Sequence, residues 1–169
     1  MALKSNISGE LTQELLAAGT KNKIKSIFLV NVHASTTCIV DLYIEKKLIG
    51  KFYLAKGIAL PTGVTLLLDG SSFDSTADGF GIFIKLSKSD VFTLTGTIDP
   101  AASTTVSGVN TLFLSEIAVG DEIIVTGETR TVTAISSDTS LTVSVAFSNN
   151  SNDTTPDCSP KPNVDVIIS

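Results

Sequence analysis

The chain has no tryptophan, one histidine, one methionine and two cysteines among 169 residues. A single histidine excludes a metal centre built from several imidazoles. No nucleophile elbow, Walker lysine or glycine-rich phosphate loop accompanies it, so nothing in the sequence assembles a catalytic constellation. His33 follows Asn31 at the end of an apolar run and reads as a loop or interface residue. Cys38 and Cys158 are too few for a disulfide framework and have no basic neighbour to activate a thiolate, so free thiols are expected. Charged residues make up only 17% and aromatics 6%, against about 25% charged in an average globular domain. No apolar run approaches the roughly 18 residues of a membrane-spanning helix. The opening MALKSNISGE lacks a basic stretch followed by an apolar one, so no secretory signal is expected.

What is present is apolar content in short pieces. Hydrophobic residues reach 43% and the mean hydropathy is +0.35, which excludes a disordered chain. The charge is unevenly placed. Residues 91–160 carry Asp99, Glu116, Asp121, Glu122, Glu128, Asp138, Asp153 and Asp157 against Arg130 alone, a net of −7, while the remainder is +2. Ser and Thr supply 24 of the 70 residues in that block but 16 of the first 90. Such a shift marks a module boundary. Neither part clusters Arg and Lys with stacking aromatics, so no nucleic-acid partner is expected. Lys21, Lys23 and Lys25 read as the solvated side of a strand.

The pattern is β almost throughout. IKSIFLVNV (24–32), CIVDLYIE (38–45), LIGKFYLA (48–55), VTLLLDG (64–70) and GFGIFIKL (79–86) are short, β-branched or aromatic, and separated by turn formers. Pro61-Thr62-Gly63 reads as a tight turn. The exception is ELTQELLAA, which Ser8 would cap and Gly19 would end as a short helix. On that reading Leu3, Ile7, Leu11, Leu15 and Leu16 lie on an N-terminal arm, residues 1–22, that would seat in a partner's groove. The alternative is that the segment caps its own sandwich.

In the middle block VFTLTGTI (91–98) alternates with period two, Phe113 and Ile117 are spaced as one helical turn, and SNNSNDTTPDCSPKP reads as linker. VGDEIIVTGETRTVTAI (119–135) is a hairpin turning at Thr126-Gly127. Its Asp121 and Glu122 are adjacent and face opposite sides, so they form no carboxylate pair; Arg130 is expected to pair with Glu128 or Glu122 across the hairpin. The expected fold is all-β: an antiparallel sandwich, jelly-roll or immunoglobulin-like, from residues 23–90 plus 161–169, with a small SH3- or OB-like barrel at 91–160 inserted into it. VDVIIS (164–169) motivates the insertion, because a lone strand after a linker needs a sheet to join. The oxygen-rich groups Asp69, Asp74, Asp78 and Asn150, Asn152, Asp153, Asp157 lack calcium-loop spacing and read as hydrated loops. No metal and no cofactor are expected.

The stretches KIKSIFLVNVHASTTCIVDLYI, YLAKGIALPTGVTLLLDG and VDVIIS resemble a β-sandwich of small virion proteins of tailed bacteriophages. TTVSGVNTLFLSEIAVGDEIIVTGETRTVTAISSDTSLTV is similar to a second module found in phage head, neck and fibre proteins. The loop DGSSFDSTADG departs from the first pattern in lacking a Gly-Asp step. The resemblance implies a non-enzymatic virion component, assembled in the host cytoplasm. Its expected place is as a decoration (cement) protein on the major capsid protein lattice, as a homo-oligomer with a trimer favoured and with no membrane partner. A neck, tail or fibre-attachment role is the alternative. A host-surface or carbohydrate-binding module is a further one, weakened by an insert whose aromatics are Phe92, Phe113 and Phe147.

Overall fold

The computed structural model describes residues 2–20, 23–74, 79–88 and 91–169. Among them, strands β1 (Leu3–Ser8), β2 (Thr12–Leu16), β3 (Lys23–Asn31), β4 (Cys38–Lys46), β5 (Gly50–Leu60), β6 (Thr65–Asp74) and β7 (Gly81–Lys88) come first. They are followed by β8 (Phe92–Thr93), β9 (Thr97–Asp99), β10 (Thr105–Val109), the one-turn helix α1 (Phe113–Glu116), β11 (Glu122–Val125) and β12 (Glu128–Ser137). The chain ends with β13 (Ser140–Val143), β14 (Asp157–Ser159) and β15 (Asn163–Ile168). It divides into two compact units, 1–88 together with 162–169, and 89–161.

The first unit is a sandwich of two four-stranded antiparallel sheets, ordered β1-β15-β3-β6 and β2-β7-β4-β5. Apart from the β4–β5 hairpin, each consecutive pair of strands crosses from one sheet to the other, which is the winding of a jelly roll. Alternation decides what is buried. Val164, Val166 and Ile168 of β15 point inward, as do Cys38, Val40 and Leu42 of β4 and Ile82, Ile84 and Leu86 of β7. On β3 the step from Ile24 to Ile27 is three residues, because a bulge between Ile24 and Ser26 restores the inward face. Each of these side chains contributes roughly 1.5–3 kcal/mol by leaving water.

The N-terminal segment is not a helix. Residues 12–16 form a strand pairing with β7, Thr12 opposite Lys85 and Leu16 opposite Ile82. Positive-φ glycines, Gly9 and Gly19, leave only nine residues between them. A helix that short is marginal in water, whereas the sheet edge gives the same amides ladder partners. Residues 3–8 likewise pair with β15 along its whole length. The described residues of the 1–22 segment therefore belong to the sandwich as two edge strands and do not form a separate arm.

The second unit is one seven-stranded antiparallel sheet, β8-β14-β11-β12-β13-β10-β9. It curls until Ile98 and Asp153 meet at an isolated bridge, but no continuous ladder among the described residues closes it into a barrel. Phe113 and Ile117 of the helical turn are fully covered in its core with Ile98, Val106, Ile123 and Leu141. Two expectations fail here. The alternating run 91–98 is broken at Gly96, whose φ is +85° and whose missing Cβ would lie 2.5 Å from the Val109 carbonyl oxygen. The supposed linker contains β14, buried at Cys158 and hydrogen-bonded between β8 and β11. This unit thus begins and ends on neighbouring strands.

Candidate interaction surfaces

The five residues assigned to an assembly arm are scattered by the strand structure. Ile7 is 1% and Leu16 5% exposed, both within the sandwich core, and Leu15 packs half-buried against it. Only Leu3 and Leu11, 39% and 37% exposed, face outward. They do not form one docking stripe.

The chemically reactive groups serve as structural ties. His33 is buried, and its Nδ1 accepts hydrogen bonds from the Ser35 and Thr36 amides at 3.2 and 3.1 Å. The Asn31 side chain donates to the carbonyls of Thr36 and Leu60 and accepts from the His33 amide. These contacts hold the β3–β4 connection over the end of β5. Cys38 and Cys158 are buried free thiols. Burial pushes the Cys38 thiol up to about 11, and burial beside the Asp121 and Glu116 carboxylates pushes Cys158 up as well. Neither supplies a thiolate nucleophile near neutral pH.

Asp121 is 1% exposed and accepts from the Ala118 and Lys161 amides at 2.9 and 2.8 Å, while Glu122 is exposed. Asp153 accepts from the amides of Thr126 and Thr155, and Asp157 from the Thr93 hydroxyl. Among the described residues, no three His, Cys, Asp or Glu side chains come together in a way that would hold a metal ion. Asp78 and the side chain of Asp74 lie outside the described residues. Of its two expected partners Arg130 takes Glu128, but not across the hairpin: Glu128 lies two residues back on the same strand, where alternation puts both on one face. The guanidinium also reaches the Ala146 carbonyl and lies 5.2 Å from the Phe147 ring centroid. Glu128 accepts from the Ser148 hydroxyl and from the Ser148 and Asn149 amides. The Ser148 hydroxyl first, then the two amides, with Arg130 a smaller influence, hold its carboxyl at about 2. Together Glu128 and Arg130 clasp the 146–149 segment onto β12.

Outside these ties lies, among other exposed apolar residues, a group at the β4–β5 hairpin. Leu48 and Ile49, expected to begin a strand, instead form the turn, 99% and 61% exposed, and β5 starts at Gly50. Phe52, Tyr53, Leu54 and Ile58 continue the exposed surface along β5, an edge strand. On the outer face, Tyr53, Tyr43 and Phe83 make a row across three strands, Tyr43 stacked on Phe83 at 5.5 Å and tilted to Tyr53 at 5.6 Å. Lys51 and Lys56 lie over the Tyr43 and Tyr53 rings at 4.7 and 4.9 Å. Beside the row a groove of about 290 Å³ is lined by Glu14, Ala18, Glu45, Lys47, Gly81 and Phe83. The available sequence signal was KKLIGKF, two bulky apolar residues between lysines at a turn. No family model, curated protein or solved structure matches the chain.

Proposed function

We propose that this chain is a non-enzymatic structural component of a tailed-phage virion, a decoration protein held on the major capsid lattice through its jelly roll. The observation that carries the reading is the jelly-roll winding of the first unit, interrupted between β7 and β15 by a second β unit. Jelly rolls recur in viral capsid and lectin domains, and a guest in a connecting loop adds surface without disturbing the host core. The polar groups support a structural role: His33, Asp121, Glu128 and Asp153 are each occupied in holding backbone. Quantitative peptide counting on purified particles tests it. Hundreds of copies per particle would agree with a capsid site, a handful would move the protein to the neck, tail or a fibre attachment, and absence from particles would end the reading.

The Phe83 groove favours one second reading, a host-surface glycan module. An aromatic floor between Glu14 and Glu45 matches a sugar ring with hydroxyls to donate. Glycan-array binding lost on Phe83→Ala, in a variant that melts like the parent, would promote it over the first.

A further inference from the structure

We infer that copies of this chain associate head to tail, the lysine-flanked apolar hairpin β4–β5 of one copy docking on the apolar β10–α1 segment of the inserted unit of the next, where Asp138 and Glu116 supply negative charge. Leu48 stands at the hairpin tip with φ +70° and is 99% exposed. That backbone conformation suits Gly or Asn and is an outlier for a bulky apolar residue. The chain thus holds Leu48 and Ile49 in water at a strained turn, followed by an exposed edge of about 35 Å at roughly 3.2 Å per residue. Contiguous apolar surface rimmed by polar groups marks an interaction site. Lys46, Lys47, Lys51 and Lys56 lie along the hairpin with Glu45 and Asp41; Lys51 stands 3.7 Å from Glu45, and Asp41 accepts the Gly57 amide at 2.6 Å.

Two features decide what covers it. A two-fold contact, hairpin on hairpin, would bring the lysines of one copy against those of the other, because an isologous interface is made of the same patch twice. Strand addition along β5 is also disfavoured, since the β4–β5 register shifts between Val40 and Leu42 and again between Leu42 and Tyr43. Such bulges are a means of blocking edge pairing. The hairpin therefore meets its partner through side chains, and the partner surface must be apolar and negative.

The inserted unit carries such a surface. Val109, Leu112 and Leu114 are 62%, 45% and 59% exposed. The Asp138 carboxylate accepts the Leu114 backbone amide at 3.0 Å, which places its charge at that turn, and Glu116 ends the helical turn. The whole block is −7 while the rest of the chain is +2. Two different patches meeting make a heterologous contact, which propagates into a ring or a chain of copies.

The test uses the purified full-length protein without particles, so its outcome is separate from that of the virion reading. Sedimentation velocity across a concentration series should show assembly above the monomer, with the dissociation constant rising as salt is added. The variants are Leu48→Asp/Ile49→Asp on the hairpin and Val109→Lys/Leu114→Lys on the insert, all at exposed positions, each checked for an unchanged melting curve. Each variant alone should weaken assembly about tenfold or more, and an equal mixture should recover a one-to-one dimer and nothing larger. A wild type that stays monomeric at every concentration and salt overturns the inference. So does an insert variant that still assembles while the hairpin variant does not, because that is hairpin-on-hairpin contact. Hairpin-dependent co-sedimentation of a monomeric wild type with phosphatidylserine vesicles would assign the surface to a membrane instead.

Discussion

Replacing Ile7 by Ala separates a packed edge strand from a detached assembly arm. Ile7 is 1% exposed, sits opposite Val164 in the ladder, and belongs to a strand whose partner is β15 alone. Truncating a buried Ile to Ala costs about 2–5 kcal/mol. At an edge strand the neighbours relax into part of the cavity, which places this site near 3 kcal/mol. The first unit has the size of a small domain, for which each kcal/mol moves the melting temperature by about 4–8 °C. The expected fall is therefore on the order of 10–25 °C for that unit. Leu11→Ala, at 37% exposure, should stay within about 0.5 kcal/mol of the parent, as surface changes do. Differential scanning calorimetry on the full chain reads both, with the transition of the inserted unit as the internal control. If Ile7→Ala leaves both transitions in place and lowers only the oligomer mass, the packing argument is wrong and the arm reading is right.

Three further outcomes follow from single contacts. Glu128 has a folded pKa of about 2 against an ordinary 4.5, so its stabilisation of the insert is complete above about 4.5 and drains away as pH falls towards 2; urea melts against pH should show that slope flattened in Glu128→Gln. Gly108→Ala would place a Cβ 2.2 Å from Thr111 Oγ1 and 2.9 Å from the Phe113 ring. Because that hydroxyl is committed to the Asp138 carbonyl, the overpacking should cost about 1–3 kcal/mol in chemical denaturation. Asn31→Ala strands the Leu60 carbonyl and the His33 amide; a loss on the order of 2–3 kcal/mol is expected in thermal melts, and an unchanged melt would mean that water replaces the side chain.

Legibility in the sequence tracked local composition and punctuation. Residues 24–32 and 38–45 are short β-branched and aromatic runs bounded by turn formers, residues 164–169 add apolar alternation, and the all-β sandwich follows from them. The reading failed where a distant partner decided the outcome. Leu11 and Leu15 have helical spacing, yet β7 offers the segment a ladder, and a bulge between Glu14 and Leu16 lets two adjacent leucines turn towards the core. Gly96 breaks a seemingly continuous strand because the Val109 carbonyl passes too close for any side chain. Ser-, Asn- and Pro-rich composition hid β14, whose Cys158 is the only apolar residue that its three positions bury. The exposed hairpin was least legible of all. Leu-Ile before Gly50 looks like the start of a strand in sequence, and whether it is covered depends on which strand lies alongside, a fact carried by topology rather than by spacing.

The position of the guest has an energetic consequence for its host. An open loop of the length 89–161 would charge the sandwich a closure entropy of roughly (3/2)RT ln n, about 4 kcal/mol for 73 residues. That is a large share of the 5–15 kcal/mol that typically holds a domain together. A folded guest removes most of this penalty if its ends are adjacent, and they are: Phe92 of the first strand pairs with Cys158 of the last. The guest's core, with Ile98, Phe113, Ile123 and Leu141 fully covered, supplies the stability to hold those ends together. Dependence between the units is therefore unequal. Unfolding the guest withdraws support from the host, because β15 and through it β1 are reached only across the guest. Unfolding the host costs the guest none of its own ladders, all of which lie within 89–161.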